Sequence, residues 1–365
     1  MTAACGPYGR GMKILFVTDQ RVNAGSIQAL ASYVRAGDAL GHTIAVYGPP
    51  HSDFSGLRFD TRMGDFDYVV FVFESKLRWL DGLQLVRVLS AVPRHRRAIL
   101  DADGMYNPLV EVDGYDRNHA SERERGQWIA YYEQLADTIL QPTFMPLQPG
   151  VRSLLFYGYD PAAELGPGQP KRFDLLHVGH NWWRWRDVNA SLLPALERIR
   201  PYLDGVGFVG LWWDAAPPWA RQLGLEEAFR GDPARLRQLN IQILPAVPFS
   251  EVIGTMSAAS VNVMTQRPLF RRLRFVTSKF FEIFCADTIP LVMLDPVHAE
   301  CVYGPAGQDL TLHDGVADAL LDAIRRPEHY RCAAQKVRQH LAAHHSYRHR
   351  VQELIAALEG GNGGA

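Results

Sequence analysis

The sequence predicts an α/β protein built from two Rossmann-like, doubly wound domains. Continuous apolar runs that suit strands buried on both faces alternate with amphipathic segments that suit helices. The second half repeats the opening unit, and a proline- and glycine-rich segment at 161–170 predicts an exposed linker between the halves. A length of 365 residues also exceeds one ordinary core, which favours two domains.

The first half opens with the apolar run 13–18, which predicts a strand of a parallel sheet. Ile27, Leu30 and Val34 then recur at helical spacing, and Gly41 is a natural helix end. Further strands are predicted at 43–47, 68–73, 98–100, 138–140 and 153–157, with helical stretches between them.

The second half begins with a predicted strand at 174–179, followed by a loop and an amphipathic helix at 191–203. More strands are predicted at 206–210, 241–244, 261–264 and 289–294. Ligands of open parallel sheets bind at the carboxyl ends of the strands, so candidate loops of both halves are expected to meet at a cleft. Neither half has the GxGxxG loop, which disfavours a dinucleotide site of the dehydrogenase type.

Composition favours an ordinary globular protein with no nucleic-acid or general membrane partner. The chain is 47% hydrophobic and 21% charged with a formal net charge of −1. No apolar run reaches the roughly 18 residues that span a bilayer, and the first eleven residues are too polar and short for a secretory signal. The four cysteines lack metal or disulfide spacing, which favours a reducing cytoplasm, and the high alanine, arginine and glycine content fits a bacterial source.

The run 277–292 carries the most specific signal. It predicts a short helix with Lys279 and Glu282 on one turn, followed by a turn and a buried strand. A carboxylate there can accept both ribose hydroxyls of a nucleotide while the ammonium group meets the phosphates. The alternative is an ordinary i,i+3 surface ion pair.

On these residues the chain resembles GT-B-fold glycosyltransferases of the "glycosyl transferases group 1" type, including spore-maturation-protein-like members. The resemblance runs from Met12 to about Leu358 and is strongest over 245–292 (with KFFEIFCADTIPLV) and over the tail from Pro327. It implies an acceptor domain at 12–160, the linker at 161–170, a nucleotide-sugar donor domain at 171–335, and a last helix at 336–358 that crosses back to the first domain.

The resemblance implies that Glu282 grips the ribose of the donor. Two positions depart from the typical pattern, because Arg274 stands where a second glutamate is usual and Asp287 stands where the turn usually has glycine. The loop at 245–251 matches the one that meets the donor base, with Val247 and Phe249 as candidates. Its alternative is a plain turn with Phe249 as a core anchor.

Other donor contacts are predicted from residue type and from the family loops. Basic side chains ahead of Glu282 suit a pyrophosphate leaving group, although each is also compatible with a solvated loop. In the family, the loop after the first strand of the donor domain passes the diphosphate, and Gly179 permits close backbone approach. The predicted donor-binding residues are Glu282, Ser278, Thr277, Gly179, Asn181, Val247, Phe249, Arg267 and Arg271. Arg272 and Arg274 belong to the basic cluster ahead of Glu282, and Arg184 or Arg186 of the loop after Gly179 could reach the phosphates.

The tryptophans at 182, 183, 185, 212 and 213 suit either stacking on a sugar or packing, and packing is favoured. The predicted catalytic residues are Lys279, Arg184, Asp101 and His119, with Asp19, Asp103 and Asp116 as further acceptor-side candidates.

Two patterns that suggest a metal are disfavoured. The Asp101-Ala102-Asp103 run mimics a metal-binding DxD, but two Rossmann-like halves argue against the fold that uses it. The histidines at 340, 344, 345 and 349 lack a nearby Cys, Asp or Glu to complete a ligand set. We therefore expect a metal-independent enzyme without a cofactor.

The function predicted from the sequence is transfer of a sugar from a nucleoside diphosphate sugar to a small-molecule or glycan acceptor, leaning to retention of configuration. The alternatives are a nucleotide-sugar epimerase or hydrolase on the same fold, and a non-catalytic scaffold that binds a nucleotide sugar.

Overall fold

The computed structural model describes residues 11–18, 25–73, 90–107, 122–222 and 224–360, with no side-chain description over 122–128. The described residues up to 107, together with 122–158 and 347–360, form one compact unit, and residues 159–346 form the other. No helix among these described residues is long and apolar enough to cross a bilayer.

The first unit contains a parallel sheet of seven strands. They are β1 (Lys13–Val17), β2 (Thr43–Tyr47), β3 (Phe59–Asp60), β4 (Tyr68–Phe73), β5 (Arg97–Asp101), β6 (Thr138–Gln141) and β7 (Val151–Ser153). Their spatial order is β3-β2-β1-β4-β5-β6-β7. Every residue of β4 is buried, as its apolar sequence predicts, and β5 is also buried throughout, including the charged Arg97 and Asp101 at its ends. The last strand was predicted at 153–157, but β7 lies earlier in the chain. Only Ser153, the first residue of the predicted range, belongs to it.

The second unit contains a parallel sheet of five strands. They are β8 (Phe173–Val178), β9 (Val206–Val209), β10 (Gln242–Leu244), β11 (Ala259–Met264) and β12 (Ile289–Val292). Their order is β10-β9-β8-β11-β12, so the direction of winding reverses between β8 and β11. Open α/β sheets bind ligands beyond the carboxyl ends of the strands at such a reversal.

Twelve helices are described, numbered along the chain. They are α1 (Gly25–Ala39), α2 (Glu122–Leu135), α3 (185–199), α4 (Trp219–Gln222), α5 (Pro233–Gln238), α6 (Val252–Ser257), α7 (Pro268–Leu273), α8 (Lys279–Cys285), α9 (Pro296–Tyr303), α10 (Val316–Arg325), α11 (Pro327–His344) and α12 (Tyr347–Glu359). Helix α3 is interrupted by a π-helical stretch, Val188–Leu192. Such stretches are frequent at functional sites.

The last helix belongs to the first unit, as predicted for a chain that crosses back. Helix α12 buries Val351, Leu354 and Leu358 and packs on α1, where the rings of Tyr33 and Tyr347 lie 5.7 Å apart. The single helix expected over 336–358 is nevertheless two helices, because α11 ends at His344 and α12 starts at Tyr347.

The predicted linker 161–170 is attached to the second unit. Its Leu165 N–H donates to the Cys285 carbonyl. The Asp287 carboxylate accepts the N–H groups of Gly168 and Gln169 at 3.1 and 3.0 Å, and Lys171 forms an ion pair with it at 3.1 Å. Asp287, which stands in place of the usual glycine, therefore fixes this segment to the turn before β12.

Candidate active site

Two loops flank the reversal point at the carboxyl edge of the second sheet. One follows β8 and begins at Gly179, and the other follows β11 and leads through α7 to α8. A hydrogen bond of 3.2 Å between Thr265 Oγ1 and His177 Nε2 joins the ends of the two strands. The structure thus gathers Gly179, Arg184, Lys279 and Glu282 at the edge where a ligand is expected.

Glycines allow the β8 loop to lie close to its neighbours. Gly210 has φ +147°, and a Cβ there would meet the Gly179 carbonyl oxygen at 2.3 Å. At Gly179 itself, the position of a Cβ lies 3.9 Å from the guanidinium carbon of Arg184. The missing side chain leaves space beside this cation, as expected for a loop that passes a phosphate.

Arg184 and Lys279 direct positive charge at the end of β8. Burial, and then the charges of Arg184 and Lys279, lower the pKa of His177 to about 3 and that of His180 to about 4. His180 is therefore neutral at pH 7, and its Nδ1 accepts the Leu211 N–H at 3.0 Å. Arg184 Nη1 donates to the His180 carbonyl at 2.6 Å, which holds the guanidinium group over the loop. Two cations near neutral imidazoles make a favourable environment for an anion.

Lys279 and Glu282 form an ion pair on the first turn of α8, with Nζ and Oε2 2.7 Å apart. Glu282 is only 8% exposed, and its Oε1 is buried with no hydrogen-bond partner among the described residues. A buried carboxylate oxygen without a donor is costly, and a ligand hydroxyl is a suitable donor for it. Thr277 and Ser278 lie half-buried just before this helix, where their carbonyls accept N–H groups of its first turn.

The basic residues ahead of α8 are held by separate partners and do not form one patch. Arg271 makes a two-pronged ion pair with Asp187, at 2.8 and 3.2 Å. Arg267 is buried, and its guanidinium carbon lies 4.3 Å from the ring centre of Phe270. Arg271 is thus oriented by protein groups, in contrast to the solvated or phosphate-facing cation that the sequence suggested.

Arg274 takes the left-handed φ of +52° at the end of α7 and pairs with Asp295 at 3.7 Å. Arg272 lies exposed on α7. Neither arrangement gathers these cations with Lys279, so position 274 serves as a helix end in this chain.

Asp187 was not among the site residues predicted from the sequence. Asp187 is the one acidic residue between Gly179 and Glu197, and it precedes the π-helical stretch of α3. An acid within a loop of tryptophans and arginines is expected to need a cationic partner. That pattern was the available signal.

Asn181 has a structural role. Its side chain is fully buried and donates to the carbonyls of Trp212 and Arg230 at 3.0 and 2.8 Å. Trp183, Trp185 and Trp213 are buried as well, in agreement with the prediction that these tryptophans pack inside the protein. Asn181 therefore joins loops through its amide nitrogen, while its Oδ1 is buried with no hydrogen-bond partner among the described residues.

Val247 and Phe249 lie half-buried in the loop that follows β10. This loop is at the same carboxyl edge as Gly179, two strands away in the sheet. The location suits the predicted contact with a donor base.

Asp101 was predicted to act as a base, but in the structure its carboxylate is hydrogen-bonded to other groups of the first unit. It is fully buried and accepts the N–H groups of Met105 and Tyr106 at 2.8 and 3.0 Å. The Tyr132 hydroxyl and the Gln141 amide donate to it at 3.1 and 2.9 Å. Burial raises the pKa of Asp101 to about 6 against these hydrogen bonds. All of its acceptor capacity is directed at the protein.

Four further residues were predicted as acceptor-side candidates, and the structure describes one of them. Asp103 is half-buried. His119, Asp19 and Asp116 lie outside the described residues. Over the described ranges, no three His, Cys, Asp or Glu side chains are grouped to hold a metal ion. Three of the histidines at the end of α11 lie close together with tilted rings, the ring centre of His340 lying 4.7 Å from that of His344 and 5.5 Å from that of His345.

Residues 190–356 match the family described as glycosyl transferase-like. Curated proteins give no sequence match.

Solved structures of glucosyltransferases are similar over nearly the whole chain. A T4 phage beta-glucosyltransferase in complex with UDP-glucose is 10% identical with a TM-score of 0.54, covering 95% of this chain and 100% of that one. An alpha-glucosyltransferase in complex with UDP and a 13-mer DNA is 12% identical with a TM-score of 0.60, covering 96% and 100%. These similarities establish the GT-B fold for this chain.

The family match covers most of the second unit and includes β9 to β12 with Lys279 and Glu282. The two-sheet architecture and the returning last helix have the GT-B arrangement. The chain therefore has the GT-B fold, and residues 190–356 of it are similar to glycosyl transferase-like domains.

Proposed function

We propose that this enzyme transfers a sugar from a uridine diphosphate sugar to a glycan or small-molecule acceptor, without a metal ion. The observation that supports it most directly is the buried, unpartnered Oε1 of Glu282, within the described residues, at the reversal point of a parallel sheet. Uridine is the base to test first, because the similar structures contain UDP or UDP-glucose.

In this proposal Glu282 accepts the ribose hydroxyls through Oε1, while Lys279 holds Oε2 in place at 2.7 Å. A charge-assisted hydrogen bond to a carboxylate is about twice as strong as a neutral one. The ion pair thus orients the carboxylate and leaves one oxygen for the ligand.

Arg184 and Lys279 meet the diphosphate. Negative charge grows on the leaving group as the bond to the sugar breaks, and preorganised cations stabilise that transition state more than the ground state. Gly179 leaves room beside Arg184 for a phosphate oxygen to approach. Because these cations do the work of a divalent metal, EDTA is expected to leave activity intact.

Retention of configuration is the proposed stereochemical outcome. Of the predicted bases, Asp101 is buried and accepts four hydrogen bonds from the protein. A retaining mechanism that needs no conventional base is compatible with this arrangement. Product NMR on the anomeric proton is the measurement, and an inverted product overturns this part.

The test of the whole proposal is calorimetry with UDP, GDP, TDP, CDP and ADP, each with EDTA and with Mn²⁺. The Mn²⁺ arm is included because a T4 phage structure contains UDP and Mn²⁺. Selective UDP binding that is unchanged by EDTA supports the proposal, as does UDP-sugar turnover that requires an acceptor pool. UDP binding that needs Mn²⁺ overturns the metal-independent part of the proposal. Turnover of the UDP-sugar without an acceptor favours a hydrolase. Binding of none of the nucleotides overturns the proposed function.

A further inference from the structure

An aromatic surface continues from the candidate active site along the carboxyl edge of the second sheet. It consists of Trp182, Trp212, Trp219 and Phe229, here called the aromatic ledge. Trp182 follows β8, and the other three residues follow β9. Arg267, which follows β11, lies with its guanidinium carbon 5.9 Å from the ring centre of Trp182. The ledge therefore begins beside the residues that flank the reversal point.

The rings of the ledge hold one another edge to face. Phe229 is buried at the centre, with its ring centre 4.9 Å from that of Trp182, 4.8 Å from Trp212 and 5.2 Å from Trp219. Trp219 meets Trp212 at an interplanar angle of 89° and Phe229 at 88°. Such pairs stabilise by about 0.5–1.5 kcal/mol each beyond the area they bury. The ledge is consequently a rigid surface.

The backbone that carries the ledge is strained. Trp183 and Trp212 have φ of +58° and +69°, a region that bulky residues rarely enter. Such conformations cost about 1–3 kcal/mol each and persist at sites where the surroundings enforce them. The Asn181 side chain provides part of that enforcement through its bond to the Trp212 carbonyl. A tryptophan can be buried without such a backbone conformation. The positive φ values of Trp183 and Trp212 set the direction in which the rings of this loop region point.

Trp219 presents its ring to solvent. It is 41% exposed, and Leu211 on the same connection is 39% exposed. Exposed charged side chains of both signs lie in the same stretch of chain, at Asp214, Arg221, Glu226, Glu227 and Arg230. Two of them, Glu227 and Arg230, form an ion pair at 3.3 Å.

We propose that the aromatic ledge binds a ring of a neutral oligosaccharide acceptor, with Trp219 as the stacking residue. The C–H faces of a sugar ring carry slight positive charge and suit the negative face of an indole. The flanking carboxylate and guanidinium groups can accept from and donate to sugar hydroxyls. The role as an acceptor subsite rests on the proposed glycosyltransferase function, and it places part of the acceptor on the second unit, outside the acceptor domain expected at 12–160.

Other flat ligands fit this surface less well. A nucleic acid needs a net positive surface for its phosphates, whereas the connection after β9 that carries Trp212 and Trp219 has three acidic and two basic exposed residues, as named above. The donor nucleotide is proposed to contact Glu282, Val247 and Phe249, so Trp219-dependent binding of UDP is the competing outcome of the test below. A neutral saccharide brings no charge of its own, and its hydroxyl groups can bond to both the acidic and the basic side chains beside the ledge.

The experiment is calorimetry of the full-length chain with neutral hexasaccharides of glucose and of N-acetylglucosamine, in α- and β-linked forms. We expect at least one to bind, and Trp219→Ala to weaken that binding about tenfold, since one stacking contact is worth roughly 1 kcal/mol or more. Trp219→Phe keeps an aromatic face and is expected to retain most of the affinity. Retention by this variant also shows that the loss in Trp219→Ala does not come from misfolding.

Tyr202→Ala is the matched control. Tyr202 is an exposed aromatic residue of the same unit, 59% accessible, but it precedes β9 and so lies at the amino edge of the sheet. Its substitution is expected to leave saccharide binding unchanged. Binding of none of the hexasaccharides overturns the proposal, and so does equal binding by Trp219→Ala. Trp219-dependent binding of UDP or of a single-stranded DNA 13-mer, with no saccharide binding, also overturns it.

The outcomes separate this proposal from the proposed function. If UDP binds and depends on Glu282 while no saccharide binds, only the ledge proposal fails. If saccharides bind through Trp219 and no nucleotide binds, the ledge proposal stands as a saccharide site and the transferase proposal fails.

Discussion

Lys279 Nζ lies 2.7 Å from Glu282 Oε2, while the second oxygen of the same carboxylate is buried with no partner among the described residues. An i,i+3 ion pair on an exposed helix face contributes little. Here Glu282 is 8% exposed, so the pair is partly desolvated and its unused oxygen is costly in the absence of a ligand. This geometry differs from the exposed ion pair that the sequence also allowed, and it supports the proposal that Glu282 binds a ligand hydroxyl.

Glu282→Gln is therefore expected to weaken UDP binding by about tenfold to a hundredfold, because hydrogen bonds to charged groups contribute roughly 1.5–3 kcal/mol. Isothermal calorimetry measures the change. Glu300→Gln is the control, since Glu300 lies exposed on α9 and bonds to Gln308. Unchanged affinity in Glu282→Gln would remove the ribose assignment.

Arg184→Ala is expected to lower kcat by about a hundredfold to a thousandfold, the usual effect of losing one group that stabilises developing charge. Arg184 also lowers the pKa of His180, behind the effect of burial, so its removal raises that pKa from about 4 towards the ordinary 6.5. NMR titration of His180 reports on this change independently of activity. Arg198→Ala is the control, because Arg198 pairs with Asp318 on exposed surface. A kcat within threefold of the wild type would contradict the assignment.

Much of the fold was predictable because its strands are continuous apolar runs. The strands that became β1, β2, β4 and β8 were recognised because burial on both faces removes polar positions. The short edge strand β3 (Phe59–Asp60) was missed because two half-buried residues have no periodic signal. The break between α11 and α12 was missed because the sequence has no proline or glycine there. In the structure, Ser346 pairs with Tyr159 in an isolated bridge between the two helices.

The candidate site was predictable where the chemistry is local in sequence. Lys279 and Glu282 share one turn, so their spacing fixed their contact. The partners of Arg271 and Asp101 depend on loops far along the chain, 84 residues away for Asp187 and 40 for Gln141. A basic loop therefore looked like a phosphate site, and a buried network carboxylate looked like a base, because residue type alone does not record which partner is reached.

The Asp187–Arg271 pair is expected to stabilise the second unit without binding the donor. Arg271→Ala leaves the Asp187 carboxylate, only 10% exposed, without its cation, and a loss of about 1 kcal/mol in the free energy of unfolding is expected. Chemical denaturation measures the loss, and calorimetry with UDP is expected to stay within twofold of the wild type. Asp187→Asn should reproduce both results. A tenfold loss of UDP affinity in Arg271→Ala alone would return Arg271 to the diphosphate site.

Asp287 is expected to make stability depend on acid pH. Burial tends to raise its pKa, but hydrogen bonds from Lys171, Gln169 and Gly168 and the charge of Lys171 outweigh it, so the folded pKa lies below the ordinary 3.8. A carboxyl group with a lowered folded pKa stabilises the folded state above its unfolded pKa. That contribution is lost as the pH falls below 3.8 towards the folded value.

Asp287→Asn keeps an acceptor for the two N–H groups of the linker segment but removes the titration. The variant is expected to be less stable than the wild type at pH 7, and the difference should shrink as the pH falls to about 3. Urea unfolding at the two pH values measures this, with Asp309→Asn on the exposed surface as the control. A constant difference across this range would mean that Asp287 acts through hydrogen bonding alone. The ion pair between Asp287 and Lys171 would then contribute nothing to the stability of the turn before β12.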